Sequence, residues 1–346
     1  MDVIEVEILN LPKKKLKSII GDAAKSALAI NLEYVHDIEP GFKRIKKGKD
    51  FNYLEQEASL IYDEDNLKRI KSLSISLARE NVLICVLPNG HLQATGIDLK
   101  KRKQYRYHPS LNYLKNHTKY YRFFQFGRVL PKIRLQLEKD LAWPGLPVEK
   151  VSAAMISLIE CTNIRVGNSV YEKLYATYGL TTFKNKHVKI EGSDLQFSFK
   201  GKKGVHHEIS LINKKLLKIV QSCRDIPGKG LFQYLFSDGS RKSIDFGMIN
   251  DYIKKSCGED FTAKDFRTWS GTLHAFLAFR DLGFFETVTE AKKNVVEVLD
   301  RVSKHLSNTR TVCKKYYVHP DILSLYESKS LEKYLHQLDK IKKDDN

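Results

Sequence analysis

The hydrophobic positions in the stretch after about residue 40 form short runs with the length of β-strands. Residues 82–87 are a continuous apolar run, which is typical of a buried strand. Asn89 and Gly90 follow it as a strong hairpin-turn signal, so residues 91–95 are predicted to return as its partner strand. The pattern therefore predicts a small β-rich region.

In the rest of the chain the apolar positions recur mainly at helical spacing. An amphipathic helix is predicted over residues 110–146 and another over residues 289–306. Thr262 and Asp265 have the spacing of a capping box, which predicts the start of a further helix. Gly179 is predicted to end a helix as its C′ glycine.

One β-hairpin interrupts this helical region. Residues 195–200 and 205–209 switch to period two, and residues 201–204 form the predicted turn between them. One of the turn lysines is therefore held at a hairpin tip. Such a flexible cation can reach into a phosphate site and deliver a proton. The alternative, which is the usual case, is that a turn lysine is simply solvated.

These patterns predict an α+β protein, and a chain of 346 residues suggests two or three domains. We expect an accessory segment at 1–40, whose role the sequence does not give. A β-rich N-terminal domain is expected at 41–115, followed by a larger, mainly helical domain at 116–346.

The charge balance indicates a polyanionic partner. Lysine and arginine exceed aspartate and glutamate by 59 to 41, giving a net charge of +18 that is spread along the chain. A membrane is the weaker candidate, because residues 82–87 are far shorter than the roughly 20 residues of a spanning helix and no secretory signal is visible. The five scattered cysteines form no CxxC pair, so we expect neither zinc nor disulfides, and a reducing compartment.

Cations alternate with aromatic residues over residues 100–109. This alternation is expected where a nucleic-acid backbone is neutralised and bases or sugars are touched, and Gln104 has the side chain that reads an adenine edge. The alternative is a solvated edge strand whose lysines prevent aggregation. Taken alone, the pattern favours neither interpretation.

A tyrosine lies among cations near the end of the chain, at residues 307–320. A phenol is a poor nucleophile because its pKa is near 10, and nearby positive charge favours the phenolate and stabilises an anionic transition state. In isolation, Tyr316 and Tyr317 would be packing residues at a helix end.

Other residues give this tyrosine a chemical context. Arginines can hold the non-bridging oxygens of a phosphodiester, a lysine can protonate the leaving oxygen, and a tyrosine can form a covalent phosphotyrosine. No GxxxxGK[ST] loop and no carboxylate cluster for two-metal catalysis stand out, so neither ATP nor a metal cofactor is expected. The residues in chain order are Arg165, a hairpin lysine, Arg267, Asn308 and Tyr317.

Over about residues 40–325 the sequence resembles the poxvirus-like, bacterial type IB DNA topoisomerases. Each matching stretch is modest alone, and their order makes the resemblance specific. They are residues 40–42 (PGF), 93–96 (QATG), 103–109 (KQYRYHP), 164–168 (IRVGN), 179–182 (GLTT), 199–202 (FKGK), 263–269 (AKDFRTW) and 317–320 (YVHP).

The resemblance implies a role for each site residue. The catalytic arginines fall on Arg165 and Arg267, the general-acid lysine on Lys202 rather than its neighbours, and the nucleophile on Tyr317. Asn308 falls on a position nine residues before the tyrosine, where the family has His or Asn. The implied DNA contacts are Lys103, Gln104, Tyr105, Tyr107 and Tyr171.

The resemblance also implies an activity. A β-rich domain and a helical catalytic domain of the topoisomerase IB and tyrosine recombinase type would close as a C-shaped clamp around double-stranded DNA. One strand would be cleaved to a 3′-phosphotyrosyl link, rotate to relax supercoils and religate without ATP or metal. A monomer in the cytoplasm, at the bacterial nucleoid, is expected.

Three features differ from the family pattern. Residues 76–79 (SLAR) stand where the family usually has Ile-Pro-Pro followed by Trp, Arg310 replaces a common proline, and the first 40 residues exceed the compact core.

A tyrosine recombinase is the main alternative function. Such enzymes usually carry a His-x-x-Arg box, which is here Lys264 to Arg267, and the recombinase interpretation leaves residues 104–109 unexplained. A DNA-binding protein that has lost catalysis is the third hypothesis, and the intact five-residue set argues against it.

Overall fold

The computed structural model describes residues 11–12, 15, 18–19, 22–36, 41–48, 50–55, 59–99, 101–236 and 238–344, without the side chains of residues 116, 117, 119–121, 339 and 341–344. Part of the predicted segment 1–40 therefore lies outside the described residues. The chain divides into two compact units, Met1–Arg122 and Phe123–Asn346.

The first unit is built on a five-stranded antiparallel sheet with the strand order β2-β1-β3-β4-β5. β5 is thus an edge strand. The strands are β1 Phe42–Lys47, β2 Asp50–Leu54, β3 Glu80–Ile84, β4 Leu92–Ile97 and β5 Lys103–Tyr107. The described helices are α1 Ala23–Leu28, α2 Glu64–Ser72 and the start of α3 Pro109–Leu141, which continues into the second unit.

Helix α2 packs with buried residues of this sheet. Strand alternation turns Val82 and Ile84 of β3 to the same side, where they form one buried cluster with Ala94 of β4 and Ile70 of α2. Complete burial of such a side chain stabilises the fold by about 1.5–3 kcal/mol. Asp63 fixes the start of α2 by accepting a 2.8 Å hydrogen bond from the backbone of Asn66.

The predicted hairpin between β3 and β4 is confirmed, with its strands displaced by a few residues from the predicted bounds. Buried Gln93 holds the turn, because its amide nitrogen donates to the carbonyls of Leu87 at 3.1 Å and Gly90 at 2.8 Å. Its amide oxygen accepts a 2.9 Å hydrogen bond from Arg69 of α2. Gln93 thereby ties the turn to the helix.

The second unit is mainly helical and contains a three-stranded sheet of order β6-β7-β8 and a two-stranded one, β9 with β10. This agrees with the predicted division into a β-rich N-terminal region and a helical core. Its elements are α4 Val148–Thr162, α5 Ser169–Tyr175, β6 Val188–Glu191, β7 Asp194–Lys200, β8 His206–Ile212, α6 Lys214–Asp225, β9 Gln233–Leu235, β10 Arg241–Ser243, α7 Phe246–Cys257, α8 Ala263–Leu282, α9 Val288–His305, α10 Arg310–Tyr316, α11 Pro320–Glu327 and α12 Glu332–Asp344.

The capping box at the start of α8 is confirmed, since the Asp265 carboxylate accepts 2.9 Å hydrogen bonds from the backbone and the hydroxyl of Thr262. The helix end predicted at Gly179 is wrong. Helix α5 already ends at Tyr175, and Ala176 adopts the left-handed conformation with φ of 47°. Gly179 is extended and serves a close backbone approach described below.

Candidate active site

Arg165 lies in the connection between α4 and α5, which a second stretch of backbone holds in place. Asn163 ends α4 in the left-handed conformation, with φ of 56°. The carbonyl of Arg165 accepts a 3.0 Å hydrogen bond from Leu180 N. A Cβ at Gly179 would lie 2.5 Å from that carbonyl oxygen, so only glycine allows the two segments to approach this closely.

Lys202 lies at the tip of the β7–β8 hairpin. The strands pair up to Lys200 and His206, and Gly201 N donates a 2.7 Å hydrogen bond to the carbonyl of Val205 across the turn. The turn is completed by residues with positive φ, 65° at Lys203 and 80° at Gly204. The side chain of Lys202 is exposed and lines a pocket with Arg165 and Arg267.

Arg267 is the buried centre of the site. Only 5% of the residue is exposed, and its guanidinium donates to the carbonyl of Asn163 and, at 2.7 Å, to the carbonyl of Leu306. Asn163 and Leu306 are the C-cap residues of α4 and α9, so their carbonyls lie where the partial negative charge of each helix accumulates. Burial lowers the pKa of Arg267, and the charge of Arg165 lowers it further. The arginine thus joins three helices at one point.

Asn308 follows α9, where it bonds to Arg165 directly and shares a carbonyl partner with Arg267. Its side-chain oxygen accepts a 2.9 Å hydrogen bond from Arg165, and its amide nitrogen donates at 3.1 Å to the Leu306 carbonyl that Arg267 also binds. Ser307 adopts φ of 47°, which turns the chain between α9 and α10. Asn308 therefore orients the Arg165 guanidinium.

Tyr317 ends α10 and faces Arg267. The guanidinium carbon of Arg267 lies 5.3 Å from the centroid of its ring, and the two side chains are hydrogen-bonded. Burial alone would raise the pKa of Tyr317, but Arg267 and Arg165, with a contribution from Lys264, lower it below its usual value. Positive charge thus favours the phenolate.

The backbone around Tyr317 is held by helix α8. The hydroxyl of buried Thr272 donates to the Tyr317 carbonyl and accepts from His319 N, both at 3.0 Å. Gly271 lets the chains approach, because a Cβ there would lie 2.9 Å from the Tyr317 carbonyl oxygen. Thr272 and Gly271, which hold the backbone of Tyr317, thus both come from the helix that carries Arg267.

Two protein families match the chain. Residues 101–345 match the eukaryotic DNA topoisomerase I catalytic core, and residues 50–98 match the bacterial DNA topoisomerase IB N-terminal domain. The DNA topoisomerase 1B of Acanthamoeba polyphaga mimivirus is 30% identical over 295 residues, 83% of this chain and 88% of that protein. The DNA topoisomerase 1B of Vaccinia virus (strain Copenhagen) is 23% identical over 244 residues, 68% of this chain and 72% of that protein.

The chain belongs to the type IB DNA topoisomerase family. It is an isomerase that binds DNA, and the resemblance drawn from its sequence is confirmed. These matches favour the topoisomerase interpretation over the recombinase alternative.

The sequence analysis of this topoisomerase missed His207 as a pocket residue. His207 is buried, stacks on Phe199 with ring centroids 4.9 Å apart, and lies directly under Gly201, beside Lys202. Burial lowers its pKa, as do the charges of Arg165 and Arg267, so the ring is neutral. Strand register could have found it, because His207 pairs with Phe199 and shares its inward face.

A second histidine outside the predicted set also lines the pocket. His305 Nε2 lies 3.0 Å from the side-chain nitrogen of Asn163 and 3.0 Å from the hydroxyl of Ser270, and its ring stacks on His274. Among the described residues, no group of three or more His, Cys, Asp or Glu side chains is arranged to hold a metal ion.

None of the described helices is long and apolar enough to span a membrane.

The predicted DNA contacts of the first unit lie on edge strand β5. Tyr105 and Tyr107 share one face, with ring centroids 6.2 Å apart, and Lys103 lies 6.0 Å from the ring centroid of Tyr105. Gln104 faces the other way and donates a 3.0 Å hydrogen bond to Asp98.

The fifth predicted contact belongs to the second unit. Tyr171 is an exposed residue of helix α5, and its ring centroid lies 5.9 Å from that of Tyr175.

Proposed function

We propose that this topoisomerase relaxes supercoiled duplex DNA by cleaving one strand with Tyr317 as the nucleophile. The observation that carries the proposal is the contact between Tyr317 and the buried guanidinium of Arg267, with Arg165 close enough to act on both. A phenol has an ordinary pKa near 10, and neighbouring cations that favour its phenolate make it a better nucleophile at neutral pH.

The proposed cleavage step balances without a co-reactant. The phenol of Tyr317 loses its proton to solvent water, its oxygen forms a bond to phosphorus, and the bond from phosphorus to the 5′ oxygen breaks. The ammonium of Lys202 gives its proton to that leaving oxygen, which becomes a 5′ hydroxyl. The strand is then held by a 3′-phosphotyrosyl bond, and the reverse steps religate it.

The arginines stabilise the charge that builds on the non-bridging oxygens. Each terminal guanidinium nitrogen carries two N–H groups, so the two carbonyl contacts of Arg267 leave donors for the phosphate. Arg165 is oriented by Asn308, whose amide nitrogen is a donor but not an acid. Asn308 is therefore assigned to positioning and to hydrogen bonding, not to proton transfer.

The phosphotyrosyl bond keeps the energy of the cleaved phosphodiester, so this cycle consumes no ATP. The two units would close on duplex DNA as a C-shaped clamp of the topoisomerase IB and tyrosine recombinase type, and the free 5′ end would rotate between cleavage and religation. The candidate DNA contacts are the five aromatic and polar residues described above. The net charge of +18 supports a polyanionic partner such as DNA.

A suicide substrate tests the nucleophile, because the short downstream fragment that carries the released 5′ hydroxyl diffuses away and leaves the covalent adduct trapped. Tyr317→Phe is expected to abolish the adduct while binding to duplex DNA persists, measured by denaturing gel and by fluorescence anisotropy. The adjacent Tyr316→Phe is the matched control and should form the adduct normally. An adduct that persists in Tyr317→Phe would refute the assignment, as would peptide mapping of the adduct to another tyrosine.

A further inference from the structure

Residues 22–36, the longest described stretch of the N-terminal segment, pack within the first unit. Ala27, Ile30 and Leu32 are buried in one cluster with Leu111 and Leu114 of helix α3. Helix α1 within the segment starts at Asp22, whose side chain accepts a 2.9 Å hydrogen bond from Lys25 N. The segment is thus a structured part of the unit.

Backbone pairing then leads the segment along the turn between β3 and β4. Glu33 N donates to the Asn89 carbonyl at 3.0 Å, and His91 N donates to the Glu33 carbonyl at 2.7 Å. Val35 N donates a 3.1 Å hydrogen bond to Nδ1 of His91. These bonds fix Tyr34, which lies between Glu33 and Val35.

Tyr34 begins a row of aromatic rings that ends on β5. Its ring stacks on buried His91 with centroids 4.5 Å apart and an interplanar angle of 18°. His91 lies 6.2 Å from Tyr107, and Tyr107 lies 6.2 Å from Tyr105. Tyr34 and Tyr105 are 42% and 45% exposed, whereas His91 is 5% exposed. The row thus has two exposed tyrosines joined by rings that are more deeply packed.

Positive charge accompanies this row. The ammonium of Lys115 lies 3.7 Å from the ring centroid of Tyr107, and that of Lys103 lies 6.0 Å from the centroid of Tyr105. Aromatic faces beside cations suit a nucleic-acid strand, because sugars and bases pack on the rings while phosphates meet the charges. A phenol adds a hydroxyl that donates to a phosphate oxygen.

We propose that Tyr34 is a DNA-contacting residue and that the N-terminal segment extends the duplex-binding surface of β5. The inference rests on the proposed contact of β5 with DNA. The competing explanation gives Tyr34 only the task of packing the segment onto His91, so the experiment must report contact with DNA as well as stability.

Photocrosslinking in the full-length Tyr317→Phe chain provides this report, because DNA stays uncleaved. p-Azidophenylalanine, which is close to tyrosine in shape, replaces Tyr34, Tyr105 or, as the control, Tyr62, which is 79% exposed and outside the row. Crosslinks to labelled duplex DNA are expected at positions 34 and 105 and not at 62. A crosslink at 105 without one at 34 overturns the inference, and absence at both overturns it together with the β5 contact.

Binding measurements give the size of the effect. Tyr34→Ala is expected to raise the Kd for duplex DNA about three- to tenfold, while Tyr34→Phe stays closer to the unchanged chain and Tyr62→Ala has no effect. Thermal unfolding of each variant reports loss of packing. Equal Kd values for Tyr34→Ala and Tyr62→Ala contradict the proposal. Failure of the unsubstituted chain to form its Tyr317 adduct would instead refute the proposed reaction and leave the crosslinks interpretable.

Discussion

At the scale of single residues, one hydroxyl fixes the backbone on both sides of Val318. Thr272 is 3% exposed and bonds to Tyr317 O and His319 N at once. Thr272→Val keeps the shape of the side chain but removes its hydrogen bonds to both backbone groups, and loss of such a bond costs about 1–3 kcal/mol for a buried group. Because a displaced nucleophile reacts slowly, we expect single-turnover cleavage to fall about ten- to hundredfold.

The matched control for this prediction lies one turn earlier on the same helix. Thr268 is also buried, but its hydroxyl donates to the carbonyl of Lys264 in its own helix, at 3.4 Å. Thr268→Val should therefore leave the cleavage rate nearly unchanged. Equal losses in the two variants would mean that α8 merely tolerates valine poorly.

A second residue-scale prediction concerns the proposed proton delivery by Lys202 and its proposed support by His207. Lys202→Ala should slow cleavage about 10²–10⁴-fold. With a substrate whose bridging 5′ oxygen is replaced by sulfur, most of the cleavage rate should return. A thiol has a pKa near 8.5, so the thiolate leaves without a proton.

His207→Ala should lower the cleavage rate about tenfold, because the proposed role of the ring is to support the hairpin that carries Lys202. The sulfur substrate should restore this rate in the same way.

The neighbouring histidine is the control for this test. His206 is exposed and faces the opposite side of the strand, near Ser198 at 3.2 Å. His206→Ala should cleave both substrates normally. If the sulfur substrate leaves the His207→Ala defect in place, the histidine acts on folding or on the arginines and not on proton delivery.

At the scale of elements, an ion pair joins the two helices that flank Asn308. Arg310, the first residue of α10, donates to both carboxylate oxygens of Asp300 in α9, at 2.7 and 2.6 Å. The hydrogen bond from Arg310 lowers the pKa of Asp300, so the pair stays charged at neutral pH. An exposed pair adds little stability by itself, but this two-point contact fixes the angle between the helices.

Arg310→Ala is therefore expected to lower the cleavage rate about two- to fivefold with little change in thermal unfolding. Arg310→Pro should cleave faster than Arg310→Ala, because proline suits the first position of a helix and restrains the chain in another way. The two rates come from one single-turnover assay. Both variants lose the Asp300 contact, so a proline variant that is slower than the alanine variant would contradict the expected benefit of proline at this position.

The elements also show how far sequence patterns reach. The hairpins and the α8 capping box follow from local spacing and turn residues, so they were predictable. Gly179 was assigned to a helix end because glycine is common there, whereas its actual constraint is the carbonyl of Arg165, fourteen positions away in sequence. The contact between Arg165 and Asn308 spans 143 positions and no local pattern encodes it. Arg165 and Asn308 were assigned to the site from the family resemblance, and the hydrogen bonds in the structure explain how they are brought together.

At the scale of the whole molecule, the net charge of +18 makes affinity for DNA dependent on salt. Binding that neutralises Z phosphates releases counterions, so the logarithm of the binding constant falls with the logarithm of salt concentration with a slope of about −0.9Z. Lys103→Ala removes one proposed phosphate contact, and we expect the slope to become shallower by about one. Anisotropy titrations of the uncleaving Tyr317→Phe chain at several salt concentrations give this slope.

A lysine of the same unit separates a specific contact from a general loss of charge. Lys68 on helix α2 is exposed and lies 3.4 Å from Glu64 and 3.8 Å from Asp65, so acidic neighbours already compensate its charge. Lys68→Ala removes the same formal charge as Lys103→Ala but should leave the slope almost unchanged. Were both variants to shift the slope equally, net charge alone would govern binding, and strand β5 would have no special place on the DNA.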